Sequence, residues 1–258
     1  MILYTPDSMR VFVILPAAGI GTRMSAGSGP SASRPSGPPT PKQFLSIAGI
    51  PMLVHCLRAF LAAGRVEAIY VAVRQPEIER VQAQIAEFGL AGSKVHVVEG
   101  GNLRQQSVGN ALAQLVAETG CADDDVVLVH DAARPLIDSA TIDRTIDAVA
   151  EFGAAIVGLP AVDTIKQVER TAHGAIITAT IPREMIVQAQ TPQGARCGLL
   201  RRAFAEAAAD EFEGTDEASL LERAGIPVAV VPGSARNLKI TQPGDLELAE
   251  FYLSNQKA

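Results

Sequence analysis

The sequence predicts an α/β fold: a doubly wound, mainly parallel sheet covered by helices on both faces, with one β-hairpin left outside it. Three observations predict it. Short apolar runs of four to six residues alternate with helical stretches of ten or more, and strands separated by helices of that length pair in parallel. Three of those runs end directly in loops of Gly, Ala or Asp, at Ala17 to Arg23, Gly100 to Asn102 and Asp131 to Arg134. In such sheets these loops share the carboxyl edge, where ligands bind. The alternation then breaks at Thr164 to Thr180, where two β-rich runs flank a short polar turn. The arrangement expected is therefore Rossmann-like, as one domain over 11–258 without internal repeats.

Val11 to Pro16 (VFVILP) reads as a buried strand running into Ala17-Ala18-Gly19-Ile20-Gly21-Thr22-Arg23-Met24. Residues without bulk let a ligand approach exposed backbone N–H groups, which suits phosphate. Arg23, joined by Lys42 in Pro41-Lys42-Gln43-Phe44, could neutralise a polyphosphate from two sides. The competing reading is a tight strand-to-helix turn followed by two solvated cations. Position 24 is Met where a dinucleotide fingerprint places its third Gly, which argues against a Rossmann dehydrogenase. Ser25 to Thr40 (SAGSGPSASRPSGPPT) cannot bury enough surface to offset its ordering entropy and is expected to be a disordered surface loop. A domain linker is excluded there, because a strand and a loop are too little for a domain.

Pro51 starts a helix through Ala63, stopped by Gly64. Ala68 to Val73 is a strand, and Glu77 to Phe88 a helix with Ile78, Val81, Ile85 and Phe88 at spacings of three and four. Val95 to Val98 is the next strand, followed by Gly100-Gly101-Asn102 and a helix from about Gln105 to Glu118. Val126 to Val129 runs into His130-Asp131-Ala132-Ala133-Arg134-Pro135, after which Asp138 or Ser139 caps a helix through Phe152. Ala154 to Leu159 is a further strand. Thr164 to Val168 and Ala175 to Thr180 read as an antiparallel hairpin about Glu169 to Gly174, a ribbon that by itself is marginally stable and wants a partner surface. Helices over Leu199 to Ala209, Asp216 to Ala224 and Gly244 to Leu253, with a strand at Val228 to Val231, complete the chain.

Composition narrows the function. A net charge of −6 argues against nucleic acid as a partner, since backbone binding needs clustered cations. Cys56, Cys121 and Cys197 are widely spaced, without a CxxC, which fits a reduced, cytoplasmic setting and not structural zinc. No stretch reaches the roughly 18 apolar residues of a membrane span, and Met1 to Arg10 lacks the order of a secretory signal.

With a nucleoside triphosphate along the Ala17 to Arg23 loop, the reaction most easily supported is attack on its α-phosphorus by a second phosphate. A phosphate monoester is largely a dianion near neutral pH, so it needs no protein nucleophile or base, only positioning and charge neutralisation. His55 and Cys56 fall in an apolar helix and read as packing. Asp131 closes a strand beside the phosphates and suits Mg²⁺, directly or through water; the alternative is a salt bridge to Arg134. His130 is sent to the opposite face by strand alternation and is not read as a ligand. Arg183 and Lys239 are cations left for a second, phosphorylated substrate. Lys239 alternates with Leu238 and Ile240, and its competing reading is an edge-strand lysine. Thr164, Thr191 and Thr215 could bond substrate hydroxyls, although Thr215 and Asp216 could equally be a helix N-cap.

The strings LPAAGIGTRM and PKQFL, VHDAARP at Val129 to Pro135, DTIK at Asp163 to Lys166, TPQ at Thr191 to Gln193, TDEAS at Thr215 to Ser219 and NLKIT at Asn237 to Thr241 together resemble the 2-C-methyl-D-erythritol 4-phosphate cytidylyltransferases from about Val11 to Leu253. The resemblance implies Mg²⁺-dependent transfer of the cytidylyl group of CTP to that polyol phosphate in non-mevalonate isoprenoid precursor synthesis. It implies Arg23 and Lys42 as transition-state stabilisers. Pro16, Ala17, Ala18, Gly19, Gly101, Asn102, Ser107 and Asp131 would hold the nucleotide. Asp131, Arg134, Thr164, Thr191 and Thr215, with Arg183 and Lys239, would hold the second substrate. It also implies that the hairpin, about 162–184, is a dimerisation arm embracing a second subunit, so that Arg183 serves the partner's site. Two departures stand out: the 25–40 gap is longer than usual, and position 102 is Asn where many relatives carry Asp. The alternatives are a ribitol 5-phosphate cytidylyltransferase and a non-catalytic nucleotide-binding paralogue.

Overall fold

In a computed structural model of the chain, residues 9–19, 44–92, 94–172 and 174–255 are described. Arg23, Lys42 and the Ser25 to Thr40 segment lie outside them. The sheet is built outward from β1 (Val11–Pro16), whose residues Val11 to Leu15 are all buried. A strand covered on both faces needs no polar alternation, which is why it reads as a continuous apolar run. On one side β1 pairs in parallel with β4 (Val66–Val73), and β4 with β5 (Val95–Glu99). On the other it pairs in parallel with β6 (Val126–Val129).

Next to β6 lies β10 (Val187–Arg196), then β7 (Ala154–Pro160) and β11 (Ala229–Pro232), giving the order β11-β7-β10-β6-β1-β4-β5. β10 is antiparallel to both neighbours. The sequence pattern assigns no strand there, because Pro192 and Gly194 both speak against a central strand. The structure absorbs Pro192 in a register shift between Ala189 and Gln193, where no regular ladder bond is required. Gly194 is needed for a close approach: a Cβ there would lie 2.5 Å from Leu128 Cδ2. A second unexpected feature is a small hairpin of β2 (Ser46–Ile47) and β3 (Ile50–Pro51), turned at Ala48 and Gly49, both with positive φ.

Side chains of β1 point alternately into two cores. Val11, Val13 and Leu15 pack with α1 (Met52–Ala62), α2 (Ile78–Glu87) and α4 (Ser139–Phe152). Phe12 and Ile14 pack with α3 (Arg104–Thr119) and α5 (Cys197–Ala209). This is the doubly wound arrangement the alternation predicts. Asp138 caps α4 by accepting the Thr141 N–H at 2.7 Å. α6 (Glu217–Arg223) follows α5, and α7 (Pro243–Ser254) follows β11. The predicted hairpin is β8 (Ile165–Thr171) with β9 (Gly174–Ile181), a two-stranded sheet of its own. Its Ile176 and Ile177 are 62% and 60% exposed.

Candidate active site

The loops after β1, β5 and β6 meet at the carboxyl edge of the sheet, as the strand-loop pattern requires. Ala17 continues the β1 ladder by donating its N–H to the Ala72 carbonyl at 2.7 Å, and Gly100 donates to Val73 at 2.7 Å. Gly101 lies so close to α3 that a Cβ would sit 2.4 Å from Gln106 Cβ. Two α3 side chains then shape this loop. Ser107 Oγ accepts the Gly101 N–H at 3.0 Å, and Gln106 Oε1 accepts the N–H groups of Asn102 and Leu103 at 3.1 and 3.2 Å. Between the loops lies a cavity of about 190 Å³, lined by Pro16, Ala18, Gly19, Gly101, Asn102, Arg104, Ser107, Asp131 and Lys239, among others.

Charge in the cavity is concentrated on one network. The carboxylate of Asp131 accepts from Arg104 Nε at 3.0 Å on one oxygen and from Lys239 Nζ at 2.6 Å on the other. The two terminal nitrogens of Arg104 donate to Glu217 at 2.7 and 2.9 Å. Glu217 opens α6 and is 1% exposed. Burial pushes the Asp131 carboxyl up, but Arg104 and Lys239 outweigh it and hold the group well below the usual carboxylate range. Burial lowers Arg104, and Glu217 and Asp131 more than reverse that, leaving its guanidinium even harder to deprotonate. Glu217 stays above the ordinary carboxyl value, because burial exceeds the help from Arg104.

Behind this wall His130 is fully buried, its Nε2 2.9 Å from the Arg134 carbonyl and its Nδ1 3.0 Å from Thr191 Oγ1. A carbonyl can only accept, so Nε2 carries the proton. Burial lowers its pKa from 6.5 to about 4, keeping the ring neutral. Among the described residues no group of three His, Cys, Asp or Glu could hold a metal ion without other ligands.

A family-level comparison matches residues 11–255 to 2-C-methyl-D-erythritol 4-phosphate cytidylyltransferase. The chain is 67% identical over 250 residues to the protein of that name from Acidobacterium capsulatum, covering 97% of this chain and 100% of the relative. It is 49% identical to the Solibacter usitatus protein, over 97% of this chain and 98% of the relative. The crystal structure of the Francisella tularensis protein of that name superposes with a TM-score of 0.73 at 33% identity, over 94% of this chain and 99% of that one. The chain belongs to this cytidylyltransferase family.

Within this family member the structure brings together Pro16, Ala18, Gly19, Gly101, Asn102, Ser107, Asp131 and Lys239 at one cavity. Ala17 is buried beside it in the β1 ladder. The alternative pairing of Asp131 with Arg134 does not occur. The Arg134 guanidinium turns instead to the buried carbonyl of Asn237 at 2.8 Å, which needs a donor, and reaches the Ala189 carbonyl at 3.4 Å. Lys239 is not on an edge strand either. Residues 237–240 form no strand, and the segment is tied down where Ile240 donates to the Ala133 carbonyl at 2.8 Å and Asn237 Nδ2 to Thr191 at 2.7 Å. Those anchors, not strand alternation, aim Lys239 at Asp131.

The threonines separate. Thr191 is buried and its hydroxyl accepts the Asp131 N–H at 3.1 Å, so it shapes the Asp131 turn from behind. Thr164 and Thr215 are exposed. Asp216 is the N-cap of α6, accepting the Ser219 N–H at 3.0 Å. Arg183 is exposed at the foot of the hairpin and donates to the Val162 carbonyl at 2.8 Å.

Sequence reading misses Arg104 and Glu217. A signal existed for Arg104: a cation in the first turn of a helix opposes the helix dipole, and such a local inconsistency marks a tertiary or functional demand. Glu217 carries none, since an acid in a first helical turn is ordinary. A larger groove of about 650 Å³ between Asp123, Asp124, Arg196 and Arg201 lies at the opposite, amino edge. Its arginines and aspartates pair with each other, at 3.0 Å for Arg196 with Asp124 and 3.4 Å for Arg201 with Asp123, so it offers little to a charged ligand.

Proposed function

We infer that the protein transfers the cytidylyl group of CTP to 2-C-methyl-D-erythritol 4-phosphate, releasing pyrophosphate and forming 4-diphosphocytidyl-2-C-methyl-D-erythritol for non-mevalonate isoprenoid precursor synthesis. The observation that carries this is the cavity itself: a small-residue loop and a Gly101 to Ser107 turn on one side, and the Asp131–Lys239 pair on the other. Its hydroxyl, Ser107, is taken up by the Gly101 N–H and the Leu103 carbonyl. That favours direct attack of the polyol phosphate on the α-phosphorus over a covalent enzyme intermediate.

The chain's own residues then position and neutralise. Pro16, Ala17, Ala18 and Gly19 with Gly101, Asn102 and Ser107 receive the nucleotide, small side chains letting backbone groups reach the base and ribose. Arg23 and Lys42 stabilise the charge that builds on the α-phosphate and the leaving pyrophosphate. Lys239 exchanges Asp131 for the polyol phosphate. Asp131 suits Mg²⁺, because its carboxylate stays ionised and each oxygen keeps a lone pair beyond its one bond to a cation. Bound there with the triphosphate and water, Mg²⁺ would supply neutralisation of the phosphate charge.

The protein acts as a homodimer in this reading. The apolar, exposed hairpin side chains Ile176 and Ile177 call for a covering surface, and Arg183 at its foot would reach the partner's substrate. No helix among the described residues is long and apolar enough to cross a membrane, and three cysteines without a disulfide suit a reducing cytoplasm. The test is pyrophosphate release with CTP and each polyol phosphate in turn. Rapid release with 2-C-methyl-D-erythritol 4-phosphate is expected. Release with ribitol 5-phosphate alone would replace the substrate, and nucleotide binding without release from either would leave a non-catalytic paralogue.

A further inference from the structure

Lys239 is bound to Asp131 at 2.6 Å, so the cation assigned to a substrate phosphate is paired with a carboxylate and must exchange partners to serve that phosphate. When Lys239 leaves, a carboxylate that is 11% exposed faces incoming phosphates and loses one of its two cations. Something must hold it in place against like charge. Arg104 can, because it reaches the other carboxylate oxygen with Nε while both terminal nitrogens are committed to Glu217. A fork bound bidentately by a buried carboxylate is held far more rigidly than a lysine on a flexible stem.

Glu217 is itself fixed. It lies in the first turn of α6, whose start is tied to β10: Gln193 Oε1 accepts the Ala218 N–H at 3.0 Å, and Gln193 Nε2 donates to Asp216 at 2.9 Å. The loop before α6 is tied to α3 in the same way, with Gln105 Oε1 accepting the Gly214 N–H at 2.9 Å and its Nε2 donating to the Phe212 carbonyl at 3.1 Å. Two anchors on separate elements hold the carboxylate, and the carboxylate holds the guanidinium.

We propose that Glu217 and Arg104 are positioning residues for the cytidylyl transfer: buried Glu217 clamps Arg104, and Arg104 holds Asp131 in place while Lys239 passes to the polyol phosphate. This rests on the assignment of Lys239 to that phosphate. Without the clamp Asp131 leans on Lys239 alone and competes with the substrate for it. The penalty therefore falls on kcat/KM for the polyol phosphate, and it requires a carboxylate at position 131.

The test is a mutant cycle on the full chain. The paired variant Arg104→Gln/Glu217→Gln leaves neither charge buried alone. Relative to wild type it is expected to lower kcat/KM for 2-C-methyl-D-erythritol 4-phosphate roughly 10- to 100-fold, the size of a lost charge-assisted bond. In an Asp131→Asn background the same pair of substitutions is expected to cost less than about threefold, because there is no carboxylate left to hold. A full penalty in both backgrounds, or none in either, overturns the proposal. Should the paired variant not fold, Arg104→Lys keeps the charge without the fork and is expected to lose as much activity, again only with Asp131 present. A wild-type kcat/KM for the polyol phosphate with Arg104→Lys overturns it. An inactive wild type would instead remove the functional reading beneath it.

Discussion

His130 shows how one buried side chain writes a pH dependence into the fold. Its pKa is lowered by burial from 6.5 to about 4, so between those values the unfolded chain binds the proton more readily than the native one. Stability from this group is complete above about pH 7 and is lost as pH falls from 6.5 towards 4, about 3 kcal/mol in all. Asp131 acts in the same direction in a lower window, because its depressed carboxyl gives up stability only as pH falls below the ordinary 3.8. Urea unfolding at pH 7.5 and 4.5 separates the two. Wild type should lose clearly more stability than His130→Gln over that interval, and equal losses would show that His130 is not the group responsible. The proposed charge-stabilising role of Arg23 and Lys42 has a direct test. Removing one preorganised charge-stabilising donor typically costs about 10²- to 10³-fold, so Arg23→Ala and Lys42→Ala are each expected to lower kcat by that order with CTP saturating. Near-wild-type turnover in both would remove the assignment.

Elements divide by how local their causes are. α4 begins where Asp138 can cap it and ends at Gly153, with φ 88°, and both signals are read directly from the chain. β1 and β6, which feed the cavity, are apolar runs whose burial on two faces leaves no ambiguity, whereas β5 is a half-buried edge strand. β10 is different in kind. Its residues VQAQTPQGAR alternate only over the first four and hold no apolar run, and the strand exists because β6 and β7 offer ladders on either side of it. Gly194 is a position in β10 where that closeness leaves no room for a Cβ. Gly194→Ala would drive a Cβ to 2.5 Å from Leu128 Cδ2 and 3.0 Å from the Val127 carbonyl. Overpacking of that kind costs about 1 to 3 kcal/mol, so the melting temperature should fall by roughly 3 to 10 °C. An unchanged melting temperature would mean that β10 relaxes freely between its neighbours.

At the scale of the whole molecule, the arm sets the strongest test. Arg183 has its described partners, the Val162 carbonyl and Glu184, at the foot of the hairpin and away from Asp131 and Lys239. With the arm crossing to a second copy, Arg183→Ala and Lys239→Ala homodimers each lose one cation per site and are expected to be nearly inactive. Mixed under exchange conditions, half of the dimers are hybrids, and each hybrid holds one doubly defective and one intact site. About a quarter of wild-type activity should return. No recovery despite proven exchange would place both cations on one chain.

Periodicity, the glycine-rich loops and the order of short motifs were enough to determine the parallel layers, the edge that carries the site and the family, because each depends on neighbours along the chain. Glu217 and Arg104 lie 113 positions apart, and Lys239 and Asp131 lie 108 apart. Their partnership, like the antiparallel place of β10, was decided only in the tertiary structure. The physical reason is the same in both cases. A helix or a capped turn is stabilised by groups a few residues away, whereas a buried ion pair or an inserted strand is selected by what the rest of the fold leaves unsatisfied.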